Sequence, residues 1–181
     1  MKHLAIILAF ITTTVFADNI EIGYEHKDKI QNAADHNVYS LAYNVELSKQ
    51  LQVGVKTENE TVVTSQNVEG LIQAQGKYSF INESKFTPYV NAAYGQKFKN
   101  GTNFDFWVAG VGVKTQFGDV TTELGWRHRE ALDSTNSYNT DETSIKASIS
   151  PVKNHVVGIK YAQERGTSNY NTTGAFYQVK F

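Results

Sequence analysis

Beyond position 17, side-chain character alternates along the chain with a period of two. Over 36–48, Tyr39, Leu41, Tyr43, Val45 and Leu47 fall on one parity, and Ser40, Ala42, Asn44 and Glu46 on the other. Over 67–81, Val68, Ile72, Ala74, Tyr78 and Phe80 oppose Glu69, Gln73, Gln75, Lys77 and Ser79. Over 103–117, Trp107, Ala109, Val111, Val113 and Phe117 oppose Val108, Gly110, Gly112, Lys114 and Gln116. Successive residues of a strand point to opposite faces, so each stretch reads as a strand with one apolar and one mostly polar face. Ten stretches do so: 19–27, 36–48, 50–63, 67–81, 85–98, 103–117, 119–130, 141–150, 155–165 and 172–181. No comparable helical stripe follows residue 17, and the pattern predicts an all-β, antiparallel fold.

A soluble β-sandwich would alternate too, so the character of the apolar face decides. Its rings gather near strand ends: Tyr24, Tyr39, Tyr94, Phe98 and Trp107 toward one end, and Phe80, Phe86, Phe117 and Phe181 toward the other. Aromatic side chains at both boundaries of an apolar band suit a lipid interface. The ten steps from Trp107 to Phe117, at about 3.3 Å each and a tilt of about 40°, span roughly 25 Å, the height of such a band. The connections alternate in length as well. Ser48-Lys49, Asn82-Glu83-Ser84, Gly118 and Pro151 to Asn154 are tight, whereas the others, including 28–35 and 131–140, are mostly longer and polar, Asn100-Gly101 being the shortest. The expectation is a single transmembrane β-barrel of ten strands, with eight or twelve as alternatives, short turns on the periplasmic side and both termini periplasmic.

The first 17 residues read differently. Lys2 and His3 precede an apolar run, Leu4 to Phe16, and Val15-Phe16-Ala17 ends it before Asp18. This is the pattern of a cleaved secretory signal, too short to span a bilayer as a helix. Residues 18–181 then form the barrel, with 16 Lys and Arg against 18 Asp and Glu. No basic surplus suggests nucleic acid. Cysteine is absent, which leaves no disulfide or thiolate metal site. No cofactor and no metal are expected. The mean hydropathy of −0.40 is that of a soluble protein, but lipid-facing and lumen-facing residues average out in a barrel.

The ending Thr172-x-Gly174-x-x-Tyr177-x-Val179-x-Phe181 resembles the C-terminal β-signal of bacterial outer-membrane proteins, and Phe86 to Gly95 is similar to a segment of small porin-like barrels. The resemblance implies a multi-pass protein of the bacterial outer membrane. Its β-signal, Gly174, Tyr177, Val179 and Phe181, would be read by the barrel-assembly machinery. Its partners would be outer-membrane lipid and lipopolysaccharide, with a monomer as the expected state.

If apolar residues face lipid, the lumen receives Glu21, Glu25, Glu46, Glu58, Glu69, Glu123 and Glu164, against Lys56, Lys77, Lys97, Lys114, Arg127, Arg129, Lys146, Lys160 and Lys180. Such charges pair, because an unpaired charge away from bulk water is costly. Eight glycines share this face: Gly23, Gly54, Gly95, Gly110, Gly112, Gly125, Gly158 and Gly174. They ease strand curvature, make room for opposing Lys and Arg side chains, or leave a water-filled path. Ten strands lie between barrels that only enclose side chains and barrels that hold channels. The expected function is a narrow porin for small solutes with a mixed-charge, slightly basic lumen. A closed structural or surface-interaction barrel is the alternative. The pore-lining candidates are Arg127, Arg129, Lys114, Lys77, Lys56, Glu69, Glu123 and Glu46. Arg127 and Arg129 point the same way and either form a rung for anions, similar to arginine-lined porins, or pair with Glu123, Glu69 or Glu58. A hydrolase would need a rim constellation from His26, His36 or His128 with Asp35, Asp133 or Ser134. No spaced motif assembles one, and no catalytic residue is expected.

Overall fold

A computed structural model describes residues 18–30, 34–64, 67–80, 85–99, 101–136, 138–167 and 169–181. The expected export signal, 1–17, and the turn at 82–84 lie outside the described residues. The strands are β1 (Asp18–Lys29), β2 (His36–Glu46), β3 (Leu51–Val62), β4 (Val68–Ser79), β5 (Phe86–Lys99), β6 (Thr102–Phe117), β7 (Val120–Ala131), β8 (Thr140–Val152), β9 (His155–Gly166) and β10 (Tyr170–Lys180). All ten expected stretches are strands, and their bounds move by no more than two residues.

Each strand pairs antiparallel with its neighbours in sequence, and β1 closes on β10 to complete the ring. The closing register sets Ile20 opposite Val179, Ile22 opposite Tyr177 and Tyr24 opposite Ala175, so the last outward-facing row meets the first. The Phe181 amide donates to the Asp18 carbonyl at 2.8 Å, which puts the start of β1 and the C-terminus at one end of the barrel. The turns Leu47–Gln50, Gly118-Asp119 and Lys153-Asn154 share that terminal end. Gly118 and Asn154 take positive φ values of 60° and 69°, as two-residue hairpin turns require. Near the last of these, β8 is irregular between Ile149 and Val152, where Pro151 has no amide to offer the ladder.

The barrel is apolar outside and polar inside. Ile22, Leu41, Val111, Leu124, Ile145 and Ile159 are exposed on the outer wall. The expected boundary rings are outside as well: Tyr24 packs on Tyr39 with centroids 5.3 Å apart, and Phe80, Phe86, Phe117 and Phe181 are all exposed. So much exposed apolar surface is stable only against another apolar phase. One part of the lumen departs from the alternation of polar and apolar faces. Val38, Leu71, Phe104, Phe106 and Val108 point inward near the loop end and are buried there. Parity assigns a side chain to a face without assigning its polarity, and here Leu71, Phe106 and Val108 form a small buried apolar cluster.

Glycine explains how a ten-stranded lumen fills. Tyr89 on β5 stands opposite Gly112 on β6, which stands opposite Gly125 on β7. Its ring lies across both, and a Cβ at Gly112 would collide with the Tyr89 ring and hydroxyl. Phe176 lies in the same way over Gly158, in register on the next strand. Gly112, Gly125 and Gly158 are therefore seats for large neighbours, a close approach that only a residue without a side chain permits.

Candidate functional site

The lumen divides along its axis. In the loop-end half, Glu60 receives Lys97 at 2.7 Å, His36 at 2.8 Å and Lys27 at 3.8 Å. Lys27 also reaches Glu164 at 3.1 Å, and Arg129 meets the same carboxylate at 3.5 Å. Lys97 and Lys99 share Glu69. Tyr138 dips from the β7–β8 connection into this network: Phe104 and Phe106 meet its ring at 5.2 and 5.4 Å, and the Arg129 guanidinium lies 4.3 Å from it. Asp133 braces that connection by accepting from the Thr135 amide and hydroxyl, which holds its carboxyl below the usual range. The Lys97 and Glu164 side chains are only 4% and 3% exposed, and Phe106 is fully buried. Charges this dry are tolerable only because each is paired, and the pairing is incomplete at the atomic level, since Arg129 Nε and Glu164 Oε1 have no hydrogen-bond partner.

Midway along the axis, Arg127 donates to Glu142 at 2.6 Å, while Lys160 bridges Glu142 at 3.4 Å and Glu25 at 3.0 Å. Lys56 pairs with Glu58 at 2.7 Å. The Arg127 and Arg129 candidates are thus both paired, through Glu142 and Glu164 rather than the expected Glu123, Glu69 or Glu58. The postulated free space beside Gly110, Gly112 and Gly125 is occupied: Tyr89 covers two of them, and a Cβ at Gly110 would meet Asn91 and Arg127.

The terminal half is open. A cavity of about 300 Å³ is lined by Glu21, Asn44, Glu46, Gln75, Lys77, Lys114, Glu123, Lys146 and Lys180, among others, and extends to Arg127 and Lys56. Lys77 donates to Glu123 at 2.8 Å, and the Tyr89 hydroxyl donates to its other oxygen at 2.9 Å. An amide ladder continues the wall: Asn44 donates to Asn19 at 3.1 Å and accepts from Gln75 at 2.9 Å, across Gly54. Of the pore-lining candidates, Lys114, Lys77, Glu123 and Glu46 therefore line the vestibule, while Lys56 and Arg127 form its floor. Glu69 and Arg129 belong to the sealed half.

Sequence reasoning missed Lys27, Glu60 and Glu142, which carry much of the pairing. Their parity points inward, and extending the alternation to the strand ends would have placed them in the lumen. The three histidines stand apart from one another, although His26 does meet a named rim partner, its ring lying within 4.8 Å of the Asp28 and Asp35 carboxylates. His36 faces the lumen against Glu60, His26 faces outward beside Asp28 and Asn37, and His128 faces outward between Trp107 and Asp141. Gly174, Tyr177 and Val179 lie on the closing strand, and Phe181 follows it at the terminal edge.

No family model matches this chain. No curated protein matches it either. Among solved structures it is similar to an outer-membrane channel of Pseudomonas putida F1, at 9% identity over 94% of this chain and 97% of that one, with a TM-score of 0.58. It is also similar to the outer-membrane protease OmpT of Escherichia coli (11% identity, 94% and 99% coverage, TM-score 0.57) and to the KdgM porin (13%, 90% and 99%, 0.51). At these identities the likeness is one of fold: the chain has the closed, antiparallel architecture of bacterial outer-membrane β-barrels.

Proposed function

We propose that this protein is a monomeric outer-membrane barrel with its termini in the periplasm and its lumen sealed to solutes at rest, a closed envelope barrel acting through its outer wall and rims. The observation that carries this reading is the loop-end half, where Lys27, Glu60, Lys97, Arg129 and Glu164 form one buried ion-pair network capped by Phe104, Phe106 and Tyr138. A solute crossing it must separate charges that have few water contacts to fall back on. Outer-membrane lipid and lipopolysaccharide surround the apolar wall, and the assembly machinery reads Gly174, Tyr177, Val179 and Phe181. The reading includes no catalysis, since His26, His36 and His128 stand apart and two of them face outward.

A narrow porin for small solutes is the second reading, and the 300 Å³ vestibule favours it, because half of a conducting path already exists. Planar-bilayer recording separates the two. The wild type is expected to show no channel events, whereas Phe106→Ala combined with Tyr138→Ala is expected to produce discrete ones by opening that cap. Steady wild-type conductance would overturn the sealed reading and establish the porin.

A further inference from the structure

We propose that the terminal vestibule is a binding site for a small dianion, of the phosphate or dicarboxylate class, held by Lys114 and Lys146 beside Lys77. The argument starts from register. Lys114 on β6, Glu123 on β7 and Lys146 on β8 occupy one cross-strand row, so the two lysines flank a single carboxylate. That carboxylate is already engaged, one oxygen by Lys77 and the other by the Tyr89 hydroxyl. Among the described residues Lys114 and Lys146 have no ion-pair partner, though both line the cavity. Lys146 is steadied by the Phe176 ring, 5.9 Å from its ammonium.

Three ammonium groups around one carboxylate leave a local excess of two positive charges. A cavity of this volume is about 8 Å across, comparable to the Debye length at physiological salt, so screening reduces that excess without abolishing it. The remaining vestibule charges are Glu21 on β1, Glu46 on β2 and Lys180 on β10. In the ring of ten, β1 stands diametrically opposite β6, and β2 opposite β7, so both acids belong to the far wall. Lys114 lies within electrostatic reach of Glu46, but of Lys77 and Lys180 as well. Arg127 and Lys56 are discharged by Glu142 and Glu58 and add hydrogen-bond donors rather than net charge. The site does not rest on the sealed reading, because a vestibule of this charge is present whether or not the loop end opens.

The test uses the folded barrel in detergent micelles with inorganic phosphate and succinate, at constant ionic strength against potassium chloride. Both dianions are expected to bind saturably, and acetate and glycine at least tenfold more weakly. Lys114→Gln with Lys146→Gln should weaken phosphate binding at least tenfold, whereas Lys49→Gln with Lys85→Gln, in the turns outside the lumen, should leave it unchanged. A second readout needs no variant: phosphate should protect Lys114 and Lys146, but not Lys49 or Lys153, from acylation by a water-soluble reagent. Phosphate binding no tighter than chloride, unchanged affinity in the lumen variant, equal binding of glycine, or uniform acylation would each overturn the proposal. Channel recording decides the sealed reading separately.

Discussion

Replacing Glu142 with glutamine should lower the stability of the barrel by about 3–5 kcal/mol, the cost of breaking a buried ion pair by removing one partner. Glu142 is 5% exposed and receives both Arg127 and Lys160. Glutamine keeps the shape and loses the charge, leaving two cations facing one amide. Lys160 retains Glu25, so the Arg127 guanidinium bears most of the loss. Removing both members of the dominant pair together, with Glu142→Leu and Arg127→Met, should cost less than the single change, because Lys160 keeps Glu25 and no charge is then left without a partner. Urea unfolding in lipid vesicles, followed by the mobility shift between folded and unfolded barrel, measures both. Equal midpoints for wild type and Glu142→Gln would mean that water already solvates this cluster.

Gly112→Ala is expected to cost about 2–3 kcal/mol by overpacking a filled site. The added methyl meets the Tyr89 hydroxyl and ring, and the Leu124 carbonyl at 2.6 Å. The aromatic side chain can move only by giving up its hydrogen bond to Glu123 and its place beneath the Lys77 ammonium, 3.8 Å from its centroid. The backbone carbonyl belongs to the paired strand and has less room still. Tyr89→Ala in the same chain should recover part of the loss, giving a coupling of at least about 1 kcal/mol in a double-mutant cycle. Additive effects would show that Gly112 is there for strand curvature and not as the seat of Tyr89.

Both expectations turn on contacts that strand alternation does not display. What alternation does display is extensive. Because consecutive Cβ atoms point to opposite faces in any strand, the residues themselves assign Leu41 to the outside and Asn44 to the inside, wherever the strand sits. The same local rule bounds ten strands, and an even number returns the end of β10 to the rim where β1 starts, so that Val179 and Ile20 meet. It places Arg127, Arg129, Lys114, Lys77, Lys56, Glu69, Glu123 and Glu46 in the lumen, where the structure has them.

Partnership is a different matter. Lys160 reaches Glu25, 135 residues away, and Lys77 reaches Glu123, 46 residues away, across the interior. Such pairs depend on the stagger of every intervening register and on ring closure, which no single strand contains. The same holds for Tyr138, a connection residue without alternation to interpret, which joins the buried network only because the barrel brings Phe104, Phe106 and Arg129 beneath it. The sequence by itself determined the faces and the strands, since each follows from local backbone geometry. The tertiary structure alone decided which half of the lumen is plugged and which lysines are left without an acid, because those outcomes are set by distances across the ring.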